Sequence, residues 1–330
     1  MKILIVGNGG REHAIAWKTA QNPKVEKIYC APGNGGTALM DKCENIDIEQ
    51  IESLADFAEE NIVDLTIVGP EVPLVNGIVD YFKERDLKIF GPSKKAAALE
   101  GSKSFSKNFM KKYGVKTADY EVFYERDKAL EYLEVCNYPI VIKADGLAAG
   151  KGVVICENYS QAEDTITKFM VEDIFGDAGK KVVIEEFLVG VEASILSITD
   201  GQVILPFVSS KDHKQIYDED KGPNTGGMGA IAPNPYVTEE VMKEFNEKIL
   251  NPTLKGIKEE NFDYKGIIFF GVMITKNGAY LLEYNVRMGD PETQAVLPLM
   301  DSDLIELIEA SLNNELSSFD LKWKNSHSCC

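Results

Sequence analysis

The stretch VIKADGLAAGKGVVI, Val141 to Ile155, sets three glycines and two lysines between two β-branched runs, and the reading of its loop decides the fold. A P-loop needs four residues between its glycines and a hydroxyl after the lysine to hold Mg²⁺. Here Gly146 and Gly150 enclose three residues, and Lys151 is followed by Gly152. A P-loop also opens a helix, whose N-terminus supplies much of the anion site. The run GVVICEN reads instead as a strand. The unit is therefore strand, glycine loop, strand, a hairpin whose tip can fold over a polyphosphate. Lys143 at the end of the first strand and Lys151 in the loop would reach phosphate oxygens as point charges. The same composition also suits a mobile surface turn.

The rest of the chain narrows the choice. Its 330 residues are enough for two or three domains with substantial cores. Acidic residues exceed basic ones by 18, which argues against a nucleic-acid surface; an anionic substrate must be met by local lysines, arginines and backbone amides. The six cysteines (Cys30, Cys43, Cys136, Cys156, Cys329, Cys330) form no C-x-x-C pair and no zinc spacing. They read as reduced thiols of a cytoplasmic protein. No segment approaches a membrane span, and the ILIV run after Met1-Lys2 is too short for a signal-peptide core.

Strands and helices alternate over roughly the first ninety residues: KILIVGNGGREHAIAWKTAQ, KIYCAPGN, DIEQIESLADFAEENI, DLTIVGP, a helix from Leu74 to Arg85, then LKIFGPS. Such alternation implies a doubly wound parallel sheet, with ligands at the carboxyl ends of its strands. The dinucleotide fingerprint is half present. Gly7 and Gly9 fit, but Glu12 stands where the third glycine belongs, and the second strand ends in CAPGN without the ribose-binding acid. A small phosphorylated ligand on the Gly7 to Gly10 turn remains compatible with that.

Ser93 is placed to cap a helix that runs to Gly114 and carries Lys103, which composition alone makes a solvated lysine. A small α+β unit follows. Glu185 and Glu186 end one of its strands, and Glu192 lies early in the next. These acids serve either as edge charges against strand aggregation or as partners for a ribose or an adenine amino group, with FLVG, including Leu188, offering apolar contact to the base. Residues 209–235, SSKDHKQIYDEDKGPNTGGMGAIAPNP, have few apolar residues, and a connection of that length is usually functional or disordered. Asp212, His213, Asn224 and Thr225 concentrate polar groups there, although a lone histidine is more often a surface residue.

The strongest local signal is GIIFFGVMITKNGAYLLEYNVRMGDPETQ, two strands around an Asn277-Gly278 turn with a helix expected at Pro291. Period two puts Leu281, Glu283, Asn285 and Arg287 on one face. A carboxylate and an amide oxygen two residues apart, with an arginine beyond, suit Mg²⁺ beside a phosphate or carboxylate.

In this order, GNGGREHA, APGNGG, GPEVPL, IKADGLAAGKGV, EEFLVGVEAS, SSKDHK, NTGGMGA and EYNVRMGDPETQ resemble the ATP-grasp superfamily and, within it, the glycinamide ribonucleotide synthetases (phosphoribosylamine–glycine ligases). The resemblance implies an α/β and α+β multidomain protein, a doubly wound parallel sheet followed by an ATP-grasp fold. Its divisions would be an N-terminal domain over 1–100, a central ATP-grasp domain over 101–125 and 195–320, a lid over 126–194, and the start of a C-terminal domain at 321–330. The implied reaction is ligation of glycine to 5-phosphoribosylamine through a glycyl phosphate, with ATP cleaved to ADP and phosphate, in purine biosynthesis. Carried over by motif, Lys103, Lys143, Gly150, Glu185, Glu186, Leu188 and Glu192 would hold ATP, and Glu283 and Asn285 would hold Mg²⁺ or Mn²⁺. Lys151, Arg287 and Asp212 would be catalytic, and Gly9, Thr225, Gly226 and Gly227 would meet the substrates. The working unit would be a cytoplasmic monomer acting on small molecules, without nucleic acid or membrane.

Two departures accompany the match. Many ATP-grasp enzymes carry another acid on the strand before E-x-N, whereas Gly266 to Thr275 has none, so a second metal would rest on ATP and water. Family members also continue past a position like LKWKNSHSCC into a domain that helps wall the active site, of which Cys329-Cys330 would begin a buried strand.

Overall fold

A computed structural model describes residues 1–148, 152–172, 174–218 and 221–330, the side chains of Pro223 and Asn224 excepted. The N-terminal alternation builds β1 (Lys2–Gly7), α1 (Gly10–Thr19), β2 (Lys27–Pro32), β3 (Cys43–Asn45), α2 (Ile51–Glu60), β4 (Leu65–Val68), α3 (Glu71–Asn76), α4 (Ile78–Glu84) and β5 (Ile89–Pro92). These strands lie parallel in the order 5-4-1-2-3. Along β1, Leu4 and Val6 enter one hydrophobic core and Ile3 and Ile5 the other, so both faces are covered. The helix read from Leu74 to Arg85 is two, because Gly77 sits at φ +94° between α3 and α4.

Ser93 caps α5 (Lys94–Gly101), its Oγ accepting from Ala96 N. The single helix expected up to Gly114 is divided at Ser102, which is extended and caps α6 (Lys103–Tyr113) through Phe105 N. Gly114, left-handed at φ +72°, ends it as expected.

Next come β6 (Tyr120–Phe123), α7 (Arg126–Leu133), β7 (Ile140–Ala144), β8 (Val153–Cys156), α8 (Tyr159–Met170) and β9 (Val182–Glu186). The strands form an antiparallel sheet in the order 6-9-7-8, with a core of its own. β7 and β8 are the hairpin read from the Val141 to Ile155 stretch, paired from Ile140↔Cys156 to Lys143↔Val153. The small sheet thus begins at Tyr120, ahead of residue 126.

β10 (Val191–Thr199) and β11 (Ile204–Pro206) return to the large sheet. The polar connection carries short pieces, β12 (Lys211–Asp212), β13 (Gln215–Tyr217), β14 (Lys221–Asn224) and β15 (Ala230–Ala232). After α9 (Glu239–Phe245) and α10 (Asn251–Glu259) come β16 (Tyr264–Thr275) and β17 (Gly278–Asn285). Long β16 pairs β5 with its first residues and β10 and β17 with the rest. It therefore joins what read as two successive sheets into one of nine strands among the described residues. α11 (Glu292–Val296), α12 (Leu304–Leu312) and β18 (Ser328–Cys329) complete the chain, with β18 on β15. Cys329 and Cys330 are exposed.

One register departs from the sequence reading. Gly271 pairs with Glu283 but Val272 with Leu281, so Leu282 is an extra residue in β17. Leu281 and Tyr284, three apart, both enter the core, which strict alternation forbids. Leu281 therefore leaves the face of Glu283, Asn285 and Arg287.

Candidate active site

The turn after β1 is built around Glu12, whose carboxylate is fully buried. Glu12 Oε2 accepts from Gly9 N at 2.6 Å, and Oε1 accepts from Arg11 Nε. A Cβ on Gly7 or Gly69 would overlap the Glu12 side chain, so it occupies the space between the ends of β1 and β4. Arg11 N donates to Asp290 Oδ2 at 3.3 Å, and Arg11 Nη1 to Met288 O at 3.1 Å. Two amides of this turn, Gly9 N and Arg11 N, are thus taken by the chain's own carboxylates. Gly9 lies against Asp290, whose Oδ2 would stand 2.8 Å from an added Cβ.

The segment after β17 brings the next layer. Arg287 Nη2 is 3.0 Å from Glu100 Oε1 and Nε is 3.3 Å from Glu71 Oε2, while Nη2 also donates to Asn285 Oδ1 at 3.3 Å. Glu100 Oε2 accepts from Val286 N at 2.7 Å. The guanidinium is therefore fixed from α3 and α5 beside the amide oxygen two residues away. Burial would raise the pKa of Glu283, but Lys143, Lys214, Lys103 and Arg287 together bring it below the usual carboxylate range. Those cations come from β7, the polar connection, α6 and the segment after β17, and their charges act together on this one carboxylate.

Each cation has its own support. Lys103 Nζ donates to Gly146 O at 3.3 Å, and Asp145, buried at the end of β7, accepts from Ser104 N at 2.6 Å and from Ser102 Oγ. Lys143 Nζ lies 3.0 Å from both oxygens of buried Glu185, with its hydrogen bond to Oε2. That leaves Glu185 Oε1 a buried acceptor without a hydrogen bond. Lys214 Nζ is 3.0 Å from Glu192 Oε2; burial opposes its charge, yet Glu192, Glu283 and Asp212 raise its pKa. Glu186, the last residue of β9, is exposed, and Leu188 just beyond the strand is half-buried.

The polar connection closes the other side. Asp212 Oδ1 is buried with no hydrogen-bond partner. Burial, then the charge of Glu292, pushes Asp212 up to about 7 against Lys214. Glu292, itself buried, accepts from Ser194 Oγ at 2.9 Å. Gly227, at φ +115°, packs so that an added Cβ would lie 2.7 Å from Pro291 Cδ and 3.3 Å from Asp212 Oδ1. Thr225 Oγ1 accepts from Gly227 N at 3.1 Å and donates to Lys214 O at 2.7 Å, while Gly226 faces open space. Gly150 and Lys151 lie outside the described residues.

Among the described residues no three His, Cys, Asp or Glu side chains are grouped to hold a metal. Ionised Glu283 and the Asn285 oxygen nevertheless suit Mg²⁺, which takes one or two protein oxygens and completes its shell with phosphates and waters. Sequence reasoning missed Lys107, Lys214, Glu71, Glu100, Asp290 and Glu292. For Lys107 a signal existed, since it stands four residues after Lys103 on one helix.

Residues 1–100 match the phosphoribosylglycinamide synthetase N domain, and residues 101–293 the ATP-grasp (A) domain of the same synthetase. The chain belongs to the phosphoribosylglycinamide synthetase family. It is 69% identical over 330 residues to the phosphoribosylamine–glycine ligase of Clostridium acetobutylicum, covering 100% of this chain and 79% of that protein. The Fusobacterium nucleatum ligase of the same name is 57% identical, with 100% and 78% covered. Among solved structures, the phosphoribosylamine–glycine ligase of Thermotoga maritima superposes with a TM-score of 0.86 at 32% identity, over 100% of this chain and 79% of that one. The biotin carboxylase domain of the Hydrogenobacter thermophilus 2-oxoglutarate carboxylase, at 18% identity and a TM-score of 0.77 over 99% and 73%, shares the fold. Like other phosphoribosylglycinamide synthetases, the chain unites an N domain and an ATP-grasp domain, here through the pairing of β5 with β16.

Proposed function

We propose that this synthetase joins the carboxylate of glycine to the amino group of 5-phosphoribosylamine, cleaving ATP to ADP and phosphate and yielding glycinamide ribonucleotide for purine biosynthesis. The observation that carries the reading is that the charges of Lys143, Lys214, Lys103 and Arg287 together hold Glu283 ionised against its burial, with Arg287 fixed beside Asn285 by Glu71 and Glu100. Such an arrangement stabilises transferring phosphoryl charge and needs no covalent enzyme nucleophile.

In this account a glycine carboxylate oxygen attacks the γ-phosphorus of ATP, the bond to the ADP oxygen breaks, and glycyl phosphate forms. The amine of phosphoribosylamine then adds to the acyl carbon, and the tetrahedral intermediate expels phosphate as the nitrogen loses a proton. Lys103 and Lys143 hold the nucleotide phosphates, and Lys151 in the glycine loop closes on them. Glu186, Leu188 and Glu192 receive the adenosine, with Glu185 steadying Lys143 from below. Glu283 and Asn285 hold Mg²⁺ or Mn²⁺, which would offset charge on the phosphoryl group. Arg287, oriented by Glu71 and Glu100, faces the acyl group. Asp212, with the Thr225 to Gly227 turn and Gly9 beside Asp290, borders the space for the amines, and its near-neutral titration suits a proton acceptor for the attacking nitrogen. We place the reaction in the cytoplasm, in accord with six unpaired cysteines, and take the working unit to be a monomer. No described helix is long and apolar enough to cross a membrane.

The test is phosphate release from Mg-ATP with glycine and phosphoribosylamine omitted in turn. Release that needs both supports the reading; equal release with another carboxylate in place of glycine overturns it.

A further inference from the structure

Lys107 lies one helical turn beyond Lys103 on α6, and only 2% of it is exposed. Lysines are almost never buried so completely unless paired. Its Nζ is 3.0 Å from Glu185 Oε2 and donates to Thr117 Oγ1 at 2.7 Å. Thr117 Oγ1 in turn donates to Leu281 O at 2.6 Å, which ties this point to β17. Lys143 meets the same Glu185 carboxylate from β7 at 3.0 Å. Tyr120 of β6 presents its ring 5.6 Å from Lys107 Nζ, with Lys111 on that ring at 5.9 Å, and Glu283 of β17 adds its field.

Two ammonium groups here share one carboxylate, leaving one net positive charge on the cluster. The two lysines also stand on different bodies. α6 is packed into the large core through Phe109, which contacts Phe262 and Tyr284, whereas Lys143 and Glu185 belong to the small sheet. Glu185 therefore does two things when Lys107 is present: it docks the small sheet on α6, and it holds Lys143 without neutralising it. If Lys107 were lost, Lys143 would be the sole counter-ion of a buried carboxylate and would be drawn fully to it.

We propose that Lys107 is a positioning residue of the nucleotide site, sharing the charge of Glu185 so that Lys143 keeps its own for an ATP phosphate. This rests on the reading of Lys143 as a phosphate ligand. Burial, opposed by Glu185 and reinforced by Lys143, brings Lys107 down to about 8. It accordingly loses its charge in a range where an arginine keeps its own.

The experiment measures Mg-ATP affinity at pH ~7.5 and ~9 for the full chain and for Lys107→Met, Lys107→Arg and Lys143→Met. Lys107→Met is expected to weaken ATP about tenfold at the lower pH, the loss of one charge-assisted contact, with the KM for glycine unchanged. The parent chain should weaken by a similar factor between the two pH values, and Lys107→Arg should restore affinity and remove that dependence. A bystander lysine would not produce the pH difference between lysine and arginine. If Lys107→Arg follows the parent's decline, or Lys107→Met binds as the parent does, the proposal fails. Weakening by Lys143→Met alone would overturn the role of Lys107 only; no weakening by Lys143→Met would overturn the phosphate-ligand reading with it. Should Lys107→Met not fold, the parent and Lys107→Arg across pH decide the matter.

Discussion

At the scale of single residues, the proposed role of Asp212 toward the amine depends on its charge state. Its folded pKa, raised by burial and by Glu292 to about 7, means that the folded chain keeps a proton the unfolded chain has lost. The sign follows: this group's contribution to stability falls as pH rises between about 4 and about 7. Asp212→Asn should flatten that slope, as thermal unfolding at successive pH values would read; an unchanged slope would assign it elsewhere. Glu292→Gln, removing the main opposing charge, should move the titration of Asp212 back toward ordinary aspartates, which carboxyl NMR measures directly. Glu283→Ala should lower turnover at limiting Mg²⁺ by roughly a hundredfold, on the scale of losing one electrostatic stabiliser, and full activity there would remove the metal assignment. Lys143, Glu283 and Asp212 were singled out because a glycine loop, an E-x-N strand or a polar connection framed them, whereas Lys103 was singled out only through the family resemblance. Glu292 was not, and Lys107 offered only its spacing from Lys103, since each looks in sequence like an ordinary helix charge and gains its meaning from partners 80 or so residues away in the chain, Asp212 and Glu185.

At the scale of elements, the two glycine turns at the ends of β1 and β4 exist to accommodate Glu12. Gly69→Ala would force that buried side chain out of its place between the strands, costing about 1–3 kcal/mol through overpacking, and a denaturant titration would show it as a lowered midpoint. A midpoint equal to the parent's would mean that Glu12 has room to move. The parallel N-terminal sheet and the β7–β8 hairpin could be read from alternation and punctuation. The extra residue at Leu282 could not, because a bulge leaves composition unchanged and shifts only the register. The division of helices at Gly77 and Ser102 was likewise missed, although Asn76-Gly77 and Gly101-Ser102 are local breaker signals.

At the scale of the whole molecule, the small sheet has its own core while the N-terminal and central strands share one sheet. Backbone amides of β7, β8 and β9 should therefore exchange with solvent sooner than those of β1 and β16, and Mg-ATP should slow the first group selectively. Equal protection in both sheets would contradict a separately moving small sheet. The central claim is chemical: the glycine carboxylate takes the phosphoryl group before the amine displaces it. Its most direct measurement uses glycine labelled with ¹⁸O in the carboxylate, together with Mg-ATP and phosphoribosylamine, and weighs the phosphate released. The account predicts one ¹⁸O carried from glycine into each phosphate. Phosphate free of the label, formed together with glycinamide ribonucleotide, would contradict it.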